Sequence, residues 1–252
     1  MVRIIFEDIM ERIKNIIVGF VKGKNLKKQL PPMLIGVFMM GFSLSWLGLV
    51  DWGTDTFTNM NIAIANKVGL TLGTWQLILN IVLLILVVIL GADNFGFGTI
   101  ANMVLCGYLY DFFSWVWLKV LPGRVPEGFL VITTAENGSQ SAVISGDYLA
   151  AKIIIMIVAL AIFVFFAALY MDAGLGMSPC DAIPFIAYTN IKKKFEKVPL
   201  KLVRIAYDAI LILIAWAFGS KWYVVTILKV FTLGPVIEFV GKRISKWFKF
   251  DE

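Results

Sequence analysis

Three stretches of this chain are too apolar and too long for ordinary core helices. They are residues 32–50 (PMLIGVFMMGFSLSWLGLV), 75–91 (WQLILNIVLLILVVILG) and 148–171 (YLAAKIIIMIVALAIFVFFAALYM). Each approaches or exceeds the roughly 18 apolar residues that mark a bilayer span. None alternates with period two, so a β-barrel does not fit. Composition agrees: 60% of the 252 residues are hydrophobic and 16% charged, whereas soluble chains run nearer half and a quarter. The fold class is therefore an all-α polytopic membrane protein, with the lipid bilayer as its first partner.

Hydropathy places strong spans at about 32–50, 74–91, 96–118, 148–171, 202–219 and 222–241. Two weaker segments lie between them, TDTFTNMNIAIANKVGL (54–70) and PCDAIPFIAYTNI (179–191). The second is about 20 Å long as a helix, against a hydrocarbon core of about 30 Å, so both read as short, tilted or re-entrant. Residues 2–21 carry an apolar helical stripe opposite charges, the pattern of an interfacial helix on the cytoplasmic face. Acidic residues interrupt them and no small-residue cleavage site follows, unlike a signal peptide. The lysines of KGKNLKK (22–28) hold the N-terminus inside. This divides the chain into 1–30 (amphipathic helix and basic segment), 31–120 (first membrane unit), 121–147 (polar loop), 148–244 (second membrane unit) and 245–252 (cytoplasmic tail).

The two units read as tandem repeats: long, short, long, long. Aligning Asp55 with Asp181 (181 − 55 = 126) brings Gly48-Leu49 onto Gly174-Leu175. After small gaps, Gly91 falls on Gly219, Thr99-Ile100 on Thr226-Ile227, Gly107 on Gly234 and Asp111 on Glu238. If the short helices cross, there are eight membrane segments and the repeats are parallel. Lys67, Lys119, Arg124 and the basic run 192–201 then fall inside, as the positive-inside rule favours. If they are re-entrant, three crossings per unit make the repeats inverted, and the polar TTAENGSQSAVISGD (133–147) lies outside. Both readings put the two termini in the cytoplasm of a cell with an inner membrane.

The stretch GLGMSPCDAI (174–183), its degraded copy GLVDWGTDTF (48–57) and GTIANMVLCGYLYD (98–111) resemble the YczE/YyaS/YitT family of bacterial membrane proteins. The resemblance covers about residues 32–244 and implies a two-repeat inner-membrane protein without a defined substrate. The first copy departs from the pattern, with Gly53-Thr54 where the second has Pro179-Cys180. No appended cytoplasmic domain follows.

Candidate site residues come from the polar positions within these apolar blocks. Ser178, Pro179 and Asp181 have the spacing of N-cap, first and third helical residues, a capping box. Asp55 and Asp181, with Thr54 and Ser178 beside them, also sit at matching starts of two short helices, the best sequence pointer to a transporter site. Two carboxylates there suit a cation, an amine-bearing solute or a proton. A second set aligns Asn80 with Asp208 and Asn102 with Lys229, two amides where the other unit has an acid and a base. This predicts an intramembrane ion pair between Asp208 and Lys229, with Asn80 facing Asn102. Arg204, four residues before Asp208, competes for it. Asp111 and Glu238 read as caps or anchors near cytoplasmic helix ends.

Several functions fit poorly. The chain has no histidine and only Cys106 and Cys180, without CxxC spacing, so neither a metal site nor a cofactor is expected. An intramembrane enzyme would need an aspartate dyad or Ser/Lys pair, and known intramembrane aspartyl motifs are absent. The net charge of +6 follows topology rather than nucleic acid. A nucleotide-binding motif is also missing, so any energy would come from an ion gradient or a partner. The expected function is a permease for a small cationic or amine-bearing solute, with a site between the repeats and a solute or coupling ion as partner. The alternative is a non-transporting scaffold or accessory subunit, with both aspartates satisfied as caps and no cavity between the repeats.

Overall fold

The computed structural model describes residues 25–90, 95–135, 138–195 and 197–221. Beyond them it describes Met10, Lys14, Phe20, Tyr223, Thr226, Ile227, Lys229, Val230, Val236, residues 239–241, Arg243 and Ile244. The expected tail (245–252), Gly91, Gly234, Glu238, and most of the interfacial helix and of the 222–241 span lie outside the described residues.

Among the described residues, seven α-helices follow the hydropathy closely: α1 (Leu26–Val50), α2 (Thr56–Val68), α3 (Leu72–Ile89), α4 (Phe97–Val120), α5 (Leu149–Asp172), α6 (Pro179–Lys192) and α7 (Leu200–Ala217). Three are long and apolar enough to cross a membrane: α1, α3 and the segment Gly146–Asp172 that contains α5. The 121–147 region is not wholly loop. It holds an antiparallel hairpin of β1 (Leu130–Thr134) and β2 (Gln140–Ile144), with Leu130 opposite Ile144 and Thr134 opposite Gln140. The fold is thus helical with one β-hairpin, a correction to all-α. Ala142 and Ile144 bury themselves with Leu49, at the end of α1, which holds the hairpin on that end of the bundle.

Helix α1 is the central element, packed between α4 and α5. Glycines let it approach both. A Cβ on Gly36 would stand 2.9 Å from Tyr170 Cβ of α5, and one on Gly41 would stand 2.5 Å from Leu109 Cβ of α4. Met33, Val37, Leu44 and Leu47 of α1 form a buried core with Phe163, Ala167 and Tyr170 of α5 and Cys106 of α4. A similar close approach joins α3 to α4, where a Cβ on Gly107 would stand 2.8 Å from Gly73 Cα. Gly107 is there because two backbones touch. Asp111 of α4 caps the start of α3, its Oδ2 accepting from Gly73 N–H at 2.7 Å.

The contacts fix helix directions. Phe38 meets Phe113, and Trp46 meets Trp117, so α1 and α4 run parallel. Gly73 lies against Gly107 while Val87 packs with Phe95, so α3 and α4 are antiparallel. Leu49 shares a cluster with Ile155 and Gly36 meets Tyr170, so α5 runs opposite to α1. Helix α2 bonds Asp208 through Thr56 at one end and approaches Gly219 through Lys67 at the other, so it runs parallel to α7 toward the hairpin end. Thr226 lies beside Thr54, and Ile244 packs with Ala168 and Leu169 near the end of α5.

These directions overturn the eight-crossing, parallel arrangement. A crossing α2 would make α1 and α4 antiparallel. Instead α2 starts halfway along the bundle, beside Leu44 and Cys106, and its Asn66 reaches the hairpin end beside Ser114 and Thr133. Helix α6 starts at the same depth and packs on the last turns of α3, toward the opposite end. At 13 and 14 residues, each spans only about 20 Å.

The local geometry before α2 and α6 matches in detail. Asp51 (φ 55°) and Gly53 (φ 93°) precede Asp55, the N-cap of α2. Gly174 (φ 66°) and Gly176 (φ 103°) precede Ser178, the N-cap of α6. Thr226 donates to the carbonyl of Thr54, one residue before the first cap, and Thr99 to that of Met177, one before the second. The residues in equivalent places are therefore Asp55 and Ser178 (178 − 55 = 123), not Asp55 and Asp181. The sequence alignment is three residues out of register at this point.

Candidate functional site

The two short helices begin on opposite walls of one central cavity of about 110 Å³. Their N-terminal dipole ends point a partial positive charge toward it. Asp55 starts α2, with Oδ1 accepting from Thr58 N–H at 2.9 Å. Gly69 at φ 74° ends the helix in the left-handed conformation that glycine adopts freely. Ser178 starts α6 and accepts from Asp181 N–H at 3.4 Å. Its own hydroxyl donates to Asp181 Oδ2 at 2.9 Å. Pro179 is the first helical residue, as its lack of an N–H allows. The capping geometry expected of Ser178, Pro179 and Asp181 is present. Pro184 sits deeper in α6 and leaves the Cys180 carbonyl without its helical donor.

Asp55, Asp181, Ser178, Asp208, Arg204 and Lys229 all line this cavity. Thr54 does not. It is buried behind Asp55, in the wall of a second cavity of about 230 Å³ that the hairpin helps to line. The strands contribute Thr133, Thr134 and Ser141, and Tyr223 closes one side by donating to Asp51 at 3.2 Å. The start of α2 divides the two spaces: Gly53 and Thr54 face the hairpin side, Asp55 and Thr56 the centre.

The expected pairing of charges does not form. Arg204 reaches Asp181 across the α6–α7 interface at 3.7 Å rather than staying with Asp208 on its own helix. Asp208 takes the hydroxyl of Thr56 at 2.6 Å. Lys229, which sequence alignment pairs with Asp208, is only 4% exposed. Its Nζ lies 4.4 Å from the centroid of Phe163 and has no hydrogen-bond partner among the described residues. Asn80 and Asn102 form no hydrogen bond with each other. Asn102 lines the cavity, and Asn80 is fully buried on α3 with no partner for either amide atom among the described residues. The compensating exchange that the alignment implies is therefore not a hydrogen-bonded pair in either unit.

Gln76, Cys106 and Tyr170 also line the cavity, and sequence reasoning missed Gln76 and Tyr170 as site residues. Their helices look uniformly apolar, and only the packing of α3 and α5 around α1 turns these positions inward.

Long apolar helices that turn their charged groups into a shared cavity define a helical membrane protein. The chain belongs to DUF6198, a family of unknown function whose model matches residues 27–242. No curated protein and no solved structure matches it.

Proposed function

We propose that this protein is a multi-pass cell-membrane permease that binds a small amine-bearing or cationic solute in the central cavity. The observation that carries the reading is Asp55 Oδ2, a buried carboxylate oxygen in the cavity wall with no hydrogen-bond partner among the described residues. A carboxylate retained only as a cap would not need to leave an acceptor unmatched, because an unsatisfied buried charge is costly. Three carboxylates and two cationic side chains line the cavity, a balance that favours a positive group. Intramembrane charges facing a cavity mark solute or ion paths.

In this reading the two units are inverted repeats, each with three crossings and one half-length helix entering from its own side. Half-helices meeting at mid-depth are the common construction of transporter sites, and the architecture is of the kind the YczE/YyaS/YitT resemblance implies. Lys27, Lys28, Lys192, Lys194 and Lys201 lie at the end away from the hairpin, which the positive-inside rule makes cytoplasmic. The hairpin and its cavity then face outward as an entry vestibule. The scaffold alternative calls for satisfied aspartates and no cavity between the units; the free oxygen and the cavity favour the permease.

The test is a thermal-stability screen of purified protein against a metabolite library, on wild type and on Asp55→Asn/Asp181→Asn. A stabilising hit on wild type that disappears in a folded double variant supports the reading. No hit on wild type, with the variant merely less stable, leaves the carboxylates as caps and contradicts it.

A further inference from the structure

Among the described residues, each charged group in the central cavity has a partner except for two atoms. Asp181 has Arg204 and Ser178, Asp208 has Thr56, and one oxygen of Asp55 has the Thr58 N–H. The two left over are Asp55 Oδ2 and Lys229 Nζ. They have opposite charge, line the same cavity, and do not bond each other.

Lys229 is the more informative of the two. An ammonium carries three donors and no acceptor, and this one is 4% exposed, with the Phe163 face beside it, the Asp55 charge within electrostatic reach, and no hydrogen-bond partner among the described residues. The Phe163 ring stabilises the charge without accepting a conventional hydrogen bond. No described residue accepts from Lys229 Nζ, so an acceptor that enters the cavity would use its donors. A purely cationic solute would satisfy Asp55 and be repelled by Lys229. A purely anionic one would do the reverse. Phe57, Phe163, Leu211 and Val230 supply apolar wall between the polar groups, where an uncharged side chain fits.

From this geometry we infer that the ligand is a small zwitterion of the α-amino-acid type, its ammonium on Asp55 Oδ2 and its carboxylate on Lys229 Nζ. The inference rests on the permease reading above and narrows its substrate class. Lys229 is then a specificity residue that separates amino acids from simple amines, and Asp55 separates them from simple acids.

The test is isothermal titration of the purified full chain with glycine, alanine, leucine and phenylalanine. Each is compared with its matched amine (methylamine, ethylamine, isopentylamine, phenethylamine) and matched acid (acetate, propionate, 4-methylpentanoate, 3-phenylpropionate). At least one amino acid binds tenfold or more tighter than both its fragments. Lys229→Gln weakens that amino acid at least tenfold while leaving the matched amine bound as tightly or more tightly, and Lys229→Arg, which keeps the charge, retains the preference. Amines that bind as tightly as amino acids, indifferent to Lys229→Gln, overturn the zwitterion and leave the permease reading standing. Equal losses in the Gln and Arg variants assign Lys229 to packing and overturn it too. Failure of every amino acid, amine and acid to bind removes both readings, with bridging water between the two charges as the remaining account.

Discussion

Thr99 of α4 donates its hydroxyl hydrogen to the carbonyl of Met177 at 2.8 Å. This bond ties the first unit to the loop that launches the short helix of the second. Thr226 does the reverse, donating to the Thr54 carbonyl at 2.9 Å. Each unit thus positions the other's half-helix. Both threonines are buried, so Thr→Val keeps shape and removes the donor, and at Thr99 it also removes the acceptor of Gly96 N–H at 3.1 Å. Leaving a buried carbonyl without its donor costs about 1–3 kcal/mol. Thr99→Val and Thr226→Val should each lower thermal stability in detergent. Their sites lie at different launch loops and share no partner, so the double variant should lose close to the sum.

Gly53 and Gly176 hold positive φ and also lack space. A Cβ on Gly176 would stand 2.5 Å from Gly96 N, and one on Gly53 would press on Thr226 Oγ1. Gly69 has a similar φ of 74° and open space. Gly69→Ala should therefore cost only about 1–2 kcal/mol for left-handed backbone. Gly176→Ala must move backbone as well, and should yield little monodisperse protein by size-exclusion chromatography.

Asp55 can be separated into cap and charge. Asparagine caps about as well as aspartate, whereas alanine loses about 0.5–2 kcal/mol. Asp55→Asn should thus unfold near the wild-type temperature, and Asp55→Ala below it. Both should lose solute binding. Binding retained by Asp55→Asn would make the carboxylate charge irrelevant to the site.

Arg204 and Asp181 form the cross-helix ion pair of the cavity. Removing the arginine alone strands a carboxylate, which is worse than removing both charges. Arg204→Gln should be less stable in thermal unfolding than Arg204→Gln/Asp181→Asn. The opposite order would mean that the pair adds nothing to the fold.

Much of this fold is legible in the sequence, because bilayer spans are written in long apolar runs. All five fully described long helices and both short ones fall within a few residues of the hydropathy reading. The hairpin carries a signal that was open to reading: Asn137-Gly138 between Leu130–Thr134 and Gln140–Ile144 is a turn dipeptide between strand-like runs. Crossing number was less legible. Lys67, Lys119 and Arg124 sit at the hairpin end, so counting lysines favours eight crossings, whereas the helix directions favour three per unit. The repeat register failed for a related reason. Aspartate is matched to aspartate by letter, yet serine and aspartate both cap helices, so Asp55 and Ser178 share a place that their letters hide. Contacts such as Arg204 with Asp181 depend on how α6 leans on α7, which no one-dimensional pattern contains.

A solute site between the units requires α2 and α6 to enter one cavity from opposite ends. Impermeant maleimide labelling of intact cells, with single cysteines at Ser139 in the hairpin turn or at Lys194 after α6, in a background lacking Cys106 and Cys180, tests this directly. The inverted arrangement puts the two positions on opposite sides of the membrane: Ser139→Cys should label in intact cells, and Lys194→Cys only after permeabilisation. Labelling of both from the same side would mean that the short helices cross, and would contradict the account.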